Sequence, residues 1–205
     1  MNTNRTLLDC EYFPCIDWYS FFFKNENIFI EQFEHFEKAT FRNRCEVIGP
    51  NGKITLSVPL ERGRNQRSIM KDVKICNKEQ WQQLHWKTLC ASYRRSPYFE
   101  YYEHYFFDFF KKPFVFLFDL NIESIALINK ILKIEKQYSL SEKYEKTQPE
   151  TTMDLRAAFN PKQSYHHYTK QYIQNFEERH GFIHNLSILD LVFSCGKKSV
   201  ELLSN

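Results

Sequence analysis

The chain has 205 residues, 26% of them charged and 42% hydrophobic, and its 28 basic residues nearly balance 25 acidic ones for a net charge of +3. These proportions are those of a globular protein; they exclude wholesale disorder, and they lack the basic excess that a dedicated nucleic-acid protein carries. The longest apolar run, 113–118, falls far short of the ~18 residues of a spanning helix, and residues 1–10 lack the apolar core of a secretory signal. The expectation is a cytoplasmic chain with no membrane span and no nucleic-acid partner. The 20 Phe and 12 Tyr residues accompany plentiful Asn, Lys and Ile. All five have AT-rich codons, so the aromatic excess reads as compositional bias rather than as a row of stacking platforms. Six cysteines, at 10, 15, 45, 76, 90 and 195, show no C-x-x-C spacing and no zinc pattern with histidine. They read as reduced thiols, without a metal site, and no cofactor is identified.

In chain order, residues 6–10 (TLLDC) predict a short buried strand. Tyr12, Phe13 and Pro14 form a turn, with Pro14 suited to the first position of a helix over 15–23. Residues 27–31 (NIFIE) predict a second strand, so the opening reads strand, helix, strand, the order of a parallel crossover unit. Residues 45–48 and 53–58 flank Gly49-Pro50-Asn51-Gly52 and predict a hairpin, because Asn-Gly supplies the positive φ that the turn needs. After the polar stretch 61–68, the alternation in 71–75 predicts another strand. Helices are expected over 78–93, over 98–110, and from a cap at Asn121 to about 136, the last with an apolar stripe of Ile122, Ile125, Ile128 and Leu132. Residues 136–153 are polar and aperiodic and are expected to be a flexible loop. Ser187 with Asp190 resembles a capping box, and 199–203 predicts a last short helix.

Candidate chemistry is sparse. There is no Walker loop, no G-x-G-x-x-G and no G-x-S-x-G, and five glycines in the chain do not make a phosphate cradle. The strongest cluster is Thr40-Phe41-Arg42-Asn43-Arg44. In an extended segment Arg42 and Arg44 point the same way, suiting a phosphate or carboxylate, although a solvated edge with ordinary ion pairs explains them equally. Arg62, Arg64 and Arg67 form a second basic run. Trp81 and His85 are four apart on one helix face; His85 is either a general base or a histidine bonded within the core. Arg94, at a helix end, is a further anion contact, and Tyr12 with Trp81 could stack on a sugar or base. His35, just past the second strand, is placed where an α/β sheet binds ligands. His180 and His184 are also four apart, but Gly181 between them interrupts a helix, and no metal is assigned to them.

Taken in order, Tyr12-Phe13-Pro14 with Trp18, Thr40 to Arg44, Asn51-Gly52-Lys53, Leu56 to Leu60, Lys71-Asp72-Val73, Trp81, His85-Trp86, Tyr93 to Phe99, His180-Gly181-Phe182 and Asn185 to Leu191 resemble the bacterial WbqC-like family over most of the chain. Where many members carry Gln-Pro before the Tyr-Phe-Pro segment, this chain has Cys10-Glu11. The resemblance implies a single α/β domain over 1–205, loosely similar to Rossmann-like nucleotidyltransferase domains, with a small mixed or parallel sheet and flanking helices. Some members are associated with surface-polysaccharide loci, including lipopolysaccharide O-antigen. The resemblance therefore implies acyl or aminoacyl transfer to a nucleotide-linked amino sugar. The catalytic candidates are His85 and His35, and the substrate-binding candidates are Tyr12, Arg42, Asn43, Arg44, Trp81 and Arg94. The alternative is a non-catalytic nucleotide-sugar-binding or scaffold protein of the same pathway. A nucleotide or nucleotide-sugar ligand is expected in either case, and so many aromatics make a homodimer plausible.

Overall fold

A computed structural model describes residues 5–61, 68–162, 167–168 and 170–204; Arg62, Arg64 and Arg67 lie outside the described residues. The frame is a four-stranded parallel sheet. β1 (Arg5–Leu8) leads through α1 (Ile16–Lys24) to β2 (Ile28–Ile30), giving the expected crossover unit. Leu7 and Leu8 of β1 and Ile28 and Ile30 of β2 are buried because a parallel sheet is covered on both faces. Trp18 of α1 is fully buried, stacks on Phe22 with centroids 5.1 Å apart, and donates its indole N–H to the Asp9 carbonyl at 2.9 Å. That bond ties the crossover helix to the end of β1.

The flanking strands come from the segment expected to be a loop. β5 (Tyr138–Leu140) pairs with β2, and β6 (Thr152–Asp154) pairs with β1, both parallel. Their polar sequences hid them, because an edge strand contributes backbone hydrogen bonds, which any residue supplies, and keeps one side wet. The order β5-β2-β1-β6 places the third parallel strand, the second, the first and the fourth side by side, the order of half a Rossmann sheet. The order in which strands are added reverses between β1 and β6.

The hairpin of β3 (Arg44–Gly49) and β4 (Gly52–Ser57) forms as predicted, with Gly52 at φ 106. A Cβ on Gly49 would stand 2.3 Å from the Ile54 side chain, so that glycine permits close packing across the turn. Residues 71–75 are not a strand of their own. Met70–Asp72 is a 3-10 turn, and the extended residues after it are shared between two segments: Glu61 N–H donates to the Lys74 carbonyl, and Ile75 N–H to the Val115 carbonyl. The alternation is real, since Val73 and Ile75 are buried, but no continuous ladder forms.

α2 (Trp81–Tyr93), α3 (Phe99–Lys111) and α4 (Leu117–Leu132) match the expected helical middle. Asn121 does not cap α4. It lies a turn inside the helix, fully buried, and its amide donates to the carbonyls of Cys10 and Arg42 at 3.0 and 2.8 Å. The single turn α5 (Glu177–His180) ends at Gly181, and α6 (Ile188–Cys195) and α7 (Lys198–Ser204) close the chain. Ser187 caps α6 through the Leu189 N–H, but Asp190 turns inward and accepts from the hydroxyls of Tyr93 and Tyr172 at 2.9 and 2.6 Å. A reciprocal capping box is therefore not made.

Much of the aromatic excess is core: Phe13 meets Phe109 at 5.1 Å, and Phe193 meets Phe99 and Phe106 at 5.0 and 4.9 Å. Among the described residues, no helix is long and apolar enough to cross a membrane.

Candidate functional site

The carboxyl ends of a parallel sheet, at the point where the strand order reverses, are where such folds hold ligands. Here the strands run out into charge. β1 is followed by Asp9 and Glu11, β2 by Glu31 and Glu34, and β6 ends on Asp154 and is followed by Arg156. Arg42 reaches the same place from the 3-10 turn Phe41–Asn43, where the Thr40 hydroxyl accepts from the Arg42 N–H. That turn corrects the expectation of an extended Arg42-to-Arg44 segment. Arg42 points inward, and Arg44 begins β3 opposite Ser57.

Arg42 is 1% exposed. Its Nε and Nη2 donate to the two oxygens of Glu34 at 2.7 and 2.8 Å, and Nη2 also lies 3.2 Å from Asp9. Glu37, whose side chain is 62% exposed, stands 3.9 Å from Nη1, so the cluster meets solvent on that side. Glu31 accepts from Ser141 Oγ and the Phe33 N–H, and Arg156 Nη1 lies 3.3 Å away. Several buried polar atoms at the centre make no hydrogen bond, among them Glu11 Oε1, Arg42 Nη1 and Asn121 Oδ1, while Asp9 is held chiefly by its ion pair with Arg42. Buried polar groups are nearly always paired, and exceptions gather where function needs them.

The electrostatics follow from burial. It pushes the Glu34 carboxyl up to about 7, against the opposing pull of Arg42. Burial also raises Glu11 well above the ordinary carboxylate range, with the Asp9 charge adding to it, and raises Asp9 despite Arg42. Burial works against the Arg42 charge, but Asp9 and Glu34 outweigh it and raise its pKa. Asp9, Glu11 and Glu34 therefore hold their protons to higher pH than exposed carboxylates do.

Tyr12, Trp81 and His85 do come together, but in the core. The Tyr12 hydroxyl lies 3.0 Å from His85 Nδ1, and the Trp81 and His85 rings meet edge to face at 5.2 Å. His85 Nε2 lies 3.2 Å from the Ser57 carbonyl, which can only accept. Nε2 therefore carries the proton, and Nδ1 accepts from Tyr12. Burial lowers the His85 pKa to about 4, so the ring is neutral and fully bonded at neutral pH. Asn43 donates to the Val58 carbonyl and braces the hairpin. Arg94 lies at the far end of α2, exposed, on a cavity of about 560 Å³ that Cys90 and Asn175 also line. His35 is exposed and bridges Ile69 through the backbone. His180 donates to the Pro50 carbonyl at 2.9 Å. Among the described residues, no three His, Cys, Asp or Glu side chains are grouped as metal ligands would be.

Asp9, Glu11, Glu31, Glu34, Asn121 and Arg156 are the residues that sequence reasoning passed over. Their signal is modest but physical: an acid stands directly after each apolar strand, in Leu7-Leu8-Asp9 and Phe29-Ile30-Glu31.

The model of one family, described as the WbqC-like protein family, matches residues 10–166. The chain belongs to the WbqC-like family. The matched stretch of this WbqC-like protein holds almost all of the cluster: Glu11, Glu31, Glu34, Arg42, Asn121 and Arg156 lie inside it, and Asp9 precedes it by one residue. No curated protein and no solved structure matches the chain.

Proposed function

We propose that this WbqC-like protein transfers an acyl or aminoacyl group to the amine of a nucleotide-linked sugar in bacterial surface-polysaccharide synthesis, with the amine seated at the carboxylate cluster. The pathway rests on the family, some of whose members accompany surface-polysaccharide loci. The chemistry rests on one observation: Glu34, gripped by Arg42 and pushed up to about 7, stands in a buried cluster with more carboxylates than guanidiniums. An amino sugar arrives as an ammonium ion, which the ionised form of Glu34 attracts. A carboxylate poised near neutrality takes its first proton and releases it to solvent; the free amine attacks the donor carbonyl, the carboxylate takes the second proton from the nitrogen as the carbon–nitrogen bond forms, and it passes that proton to the departing group as the bond from the carbonyl carbon to that group breaks.

In this reading the general base is Glu34 rather than His85 or His35. Arg42 aligns Glu34 and Asp9 instead of gripping phosphate, and Tyr12 and Trp81 hold His85 behind the site. Arg44 is left as a contact for the anionic part of the substrate, while Arg94 lines a cavity that includes none of the cluster's residues.

The test is incubation of the protein with UDP-glucosamine and a panel of acyl-CoA and aminoacyl donors, with mass spectrometry of the amide product. The expected result is amide formation that rises as pH passes about 7 and falls at least ~100-fold in Glu34→Gln. Full activity in Glu34→Gln contradicts the reading. Tight UDP-glucosamine binding with no product from any donor favours the non-catalytic nucleotide-sugar-binding alternative.

A further inference from the structure

A second surface lies at the other end of α4. Asn121 touches the carboxylate cluster from the first half of that helix; Lys130 is nine residues further along it, about 14 Å at ~1.5 Å per residue. There α3, the end of α4 and the turn between α6 and α7 enclose a groove of about 510 Å³, the size of a small-molecule site. Lys130, Lys133, Lys197 and Lys198 line it, and among the described residues no carboxylate does. In a chain of net charge +3, four ammonium groups on one groove are a local excess that an anion complements.

The aromatic half of the groove is built rather than incidental. Tyr98, Tyr101, Tyr102 and Tyr105 follow the i, i+3, i+4, i+7 spacing that places side chains on one helix face. Tyr98 is fixed by its N–H to the Phe193 carbonyl at 3.1 Å, and its ring lies against Gly196. Gly196 has φ 57, and a Cβ there would stand 2.4 Å from the ring. This glycine therefore allows the tyrosine to press on the turn that carries Lys197 and Lys198. Tyr101 is 70% exposed, with its centroid 6.1 Å from that of Tyr98, and the Lys130 ammonium lies 5.2 Å from the Tyr105 centroid. Phenol rings cover the C–H face of a sugar while their hydroxyls bond to its hydroxyls.

We propose that this groove binds a sugar phosphate, with the lysines on the phosphate and the tyrosines on the sugar ring. Isothermal titration of the full chain with glucose 1-phosphate, glucose, inorganic phosphate and oligouridylate tests it. Saturable binding of glucose 1-phosphate is expected, tighter than that of inorganic phosphate or glucose. The exposed double change Lys197→Glu/Lys198→Glu should weaken it at least ~10-fold. Tyr101→Ala should weaken glucose 1-phosphate about 3-fold or more while leaving inorganic phosphate unchanged, and Glu34→Gln should alter neither. The proposal is overturned if glucose 1-phosphate does not bind, if the variants bind it as the parent does, if inorganic phosphate binds equally well, or if oligouridylate binds more tightly through the same lysines.

Discussion

Two buried polar regions of this protein lie on either side of the loop that leaves β1, and they are built on opposite terms. Around His85 every ring nitrogen has a partner, and the imidazole is held neutral between Tyr12 and Ser57. Around Arg42 the charges are dense, Glu11 Oε1 and Arg42 Nη1 have no hydrogen bond, and burial raises the carboxyl pKa values. A satisfied polar group specifies packing. An unsatisfied, charged one at the end of a parallel strand is costly to keep and reads as machinery.

Arg42→Ala should break the contrast most severely. It strands Glu34 and Asp9 without their cation and should cost about 3–5 kcal/mol in a urea unfolding curve, with the loss shrinking at acid pH as the carboxyls take up protons. Glu34→Gln should sharpen the contrast. The Glu34 carboxyl titrates at about 7 in the fold and near 4.5 when unfolded. The folded parent binds the extra proton between those values, so ionisation on raising pH through that window removes stability. The variant lacks this loss and should gain on the parent by on the order of 1–3 kcal/mol from pH 4.5 to 8.

His85→Gln should cost less, about 1–2 kcal/mol at neutral pH. Its pH dependence has the opposite sign. The His85 pKa falls to about 4 in the fold from 6.5, so the unfolded parent binds more protons in that window and the parent loses stability as pH falls through it. The deficit of the variant should therefore narrow on acidification. Lys53→Ala, which removes the half-exposed ion pair with Glu46 at 2.7 Å, should change stability by less than about 0.5 kcal/mol.

Legibility in the sequence followed the physics of each element. β1, α1, β2, the hairpin and α2 to α4 were readable because their apolar positions repeat at strand or helix period. β5 and β6 were not, since edge strands need only backbone bonds and their residues, Tyr-Ser-Leu and Thr-Met-Asp, mark nothing. The same gap hid the site. Without β6 there is no reversal beside β1, and without that reversal Asp9, Glu11 and Arg156 look like ordinary surface charges. Arg42 was singled out for its guanidinium, but its partners Glu34 and Asp9 lie 8 and 33 residues away in the chain and meet it only through the sheet. His85 drew attention by its pKa range, which burial then removed.

The most direct test of the central claim is calorimetric titration of UDP-glucosamine and its N-acetylated counterpart into the parent, Glu34→Gln and His85→Gln proteins at neutral pH. If the carboxylate cluster is the amine site, the parent and His85→Gln bind the free amine at least ~10-fold more tightly than the N-acetyl form, and Glu34→Gln loses that preference. A preference kept in Glu34→Gln and lost in a folded His85→Gln would contradict the account and return the chemistry to the histidine.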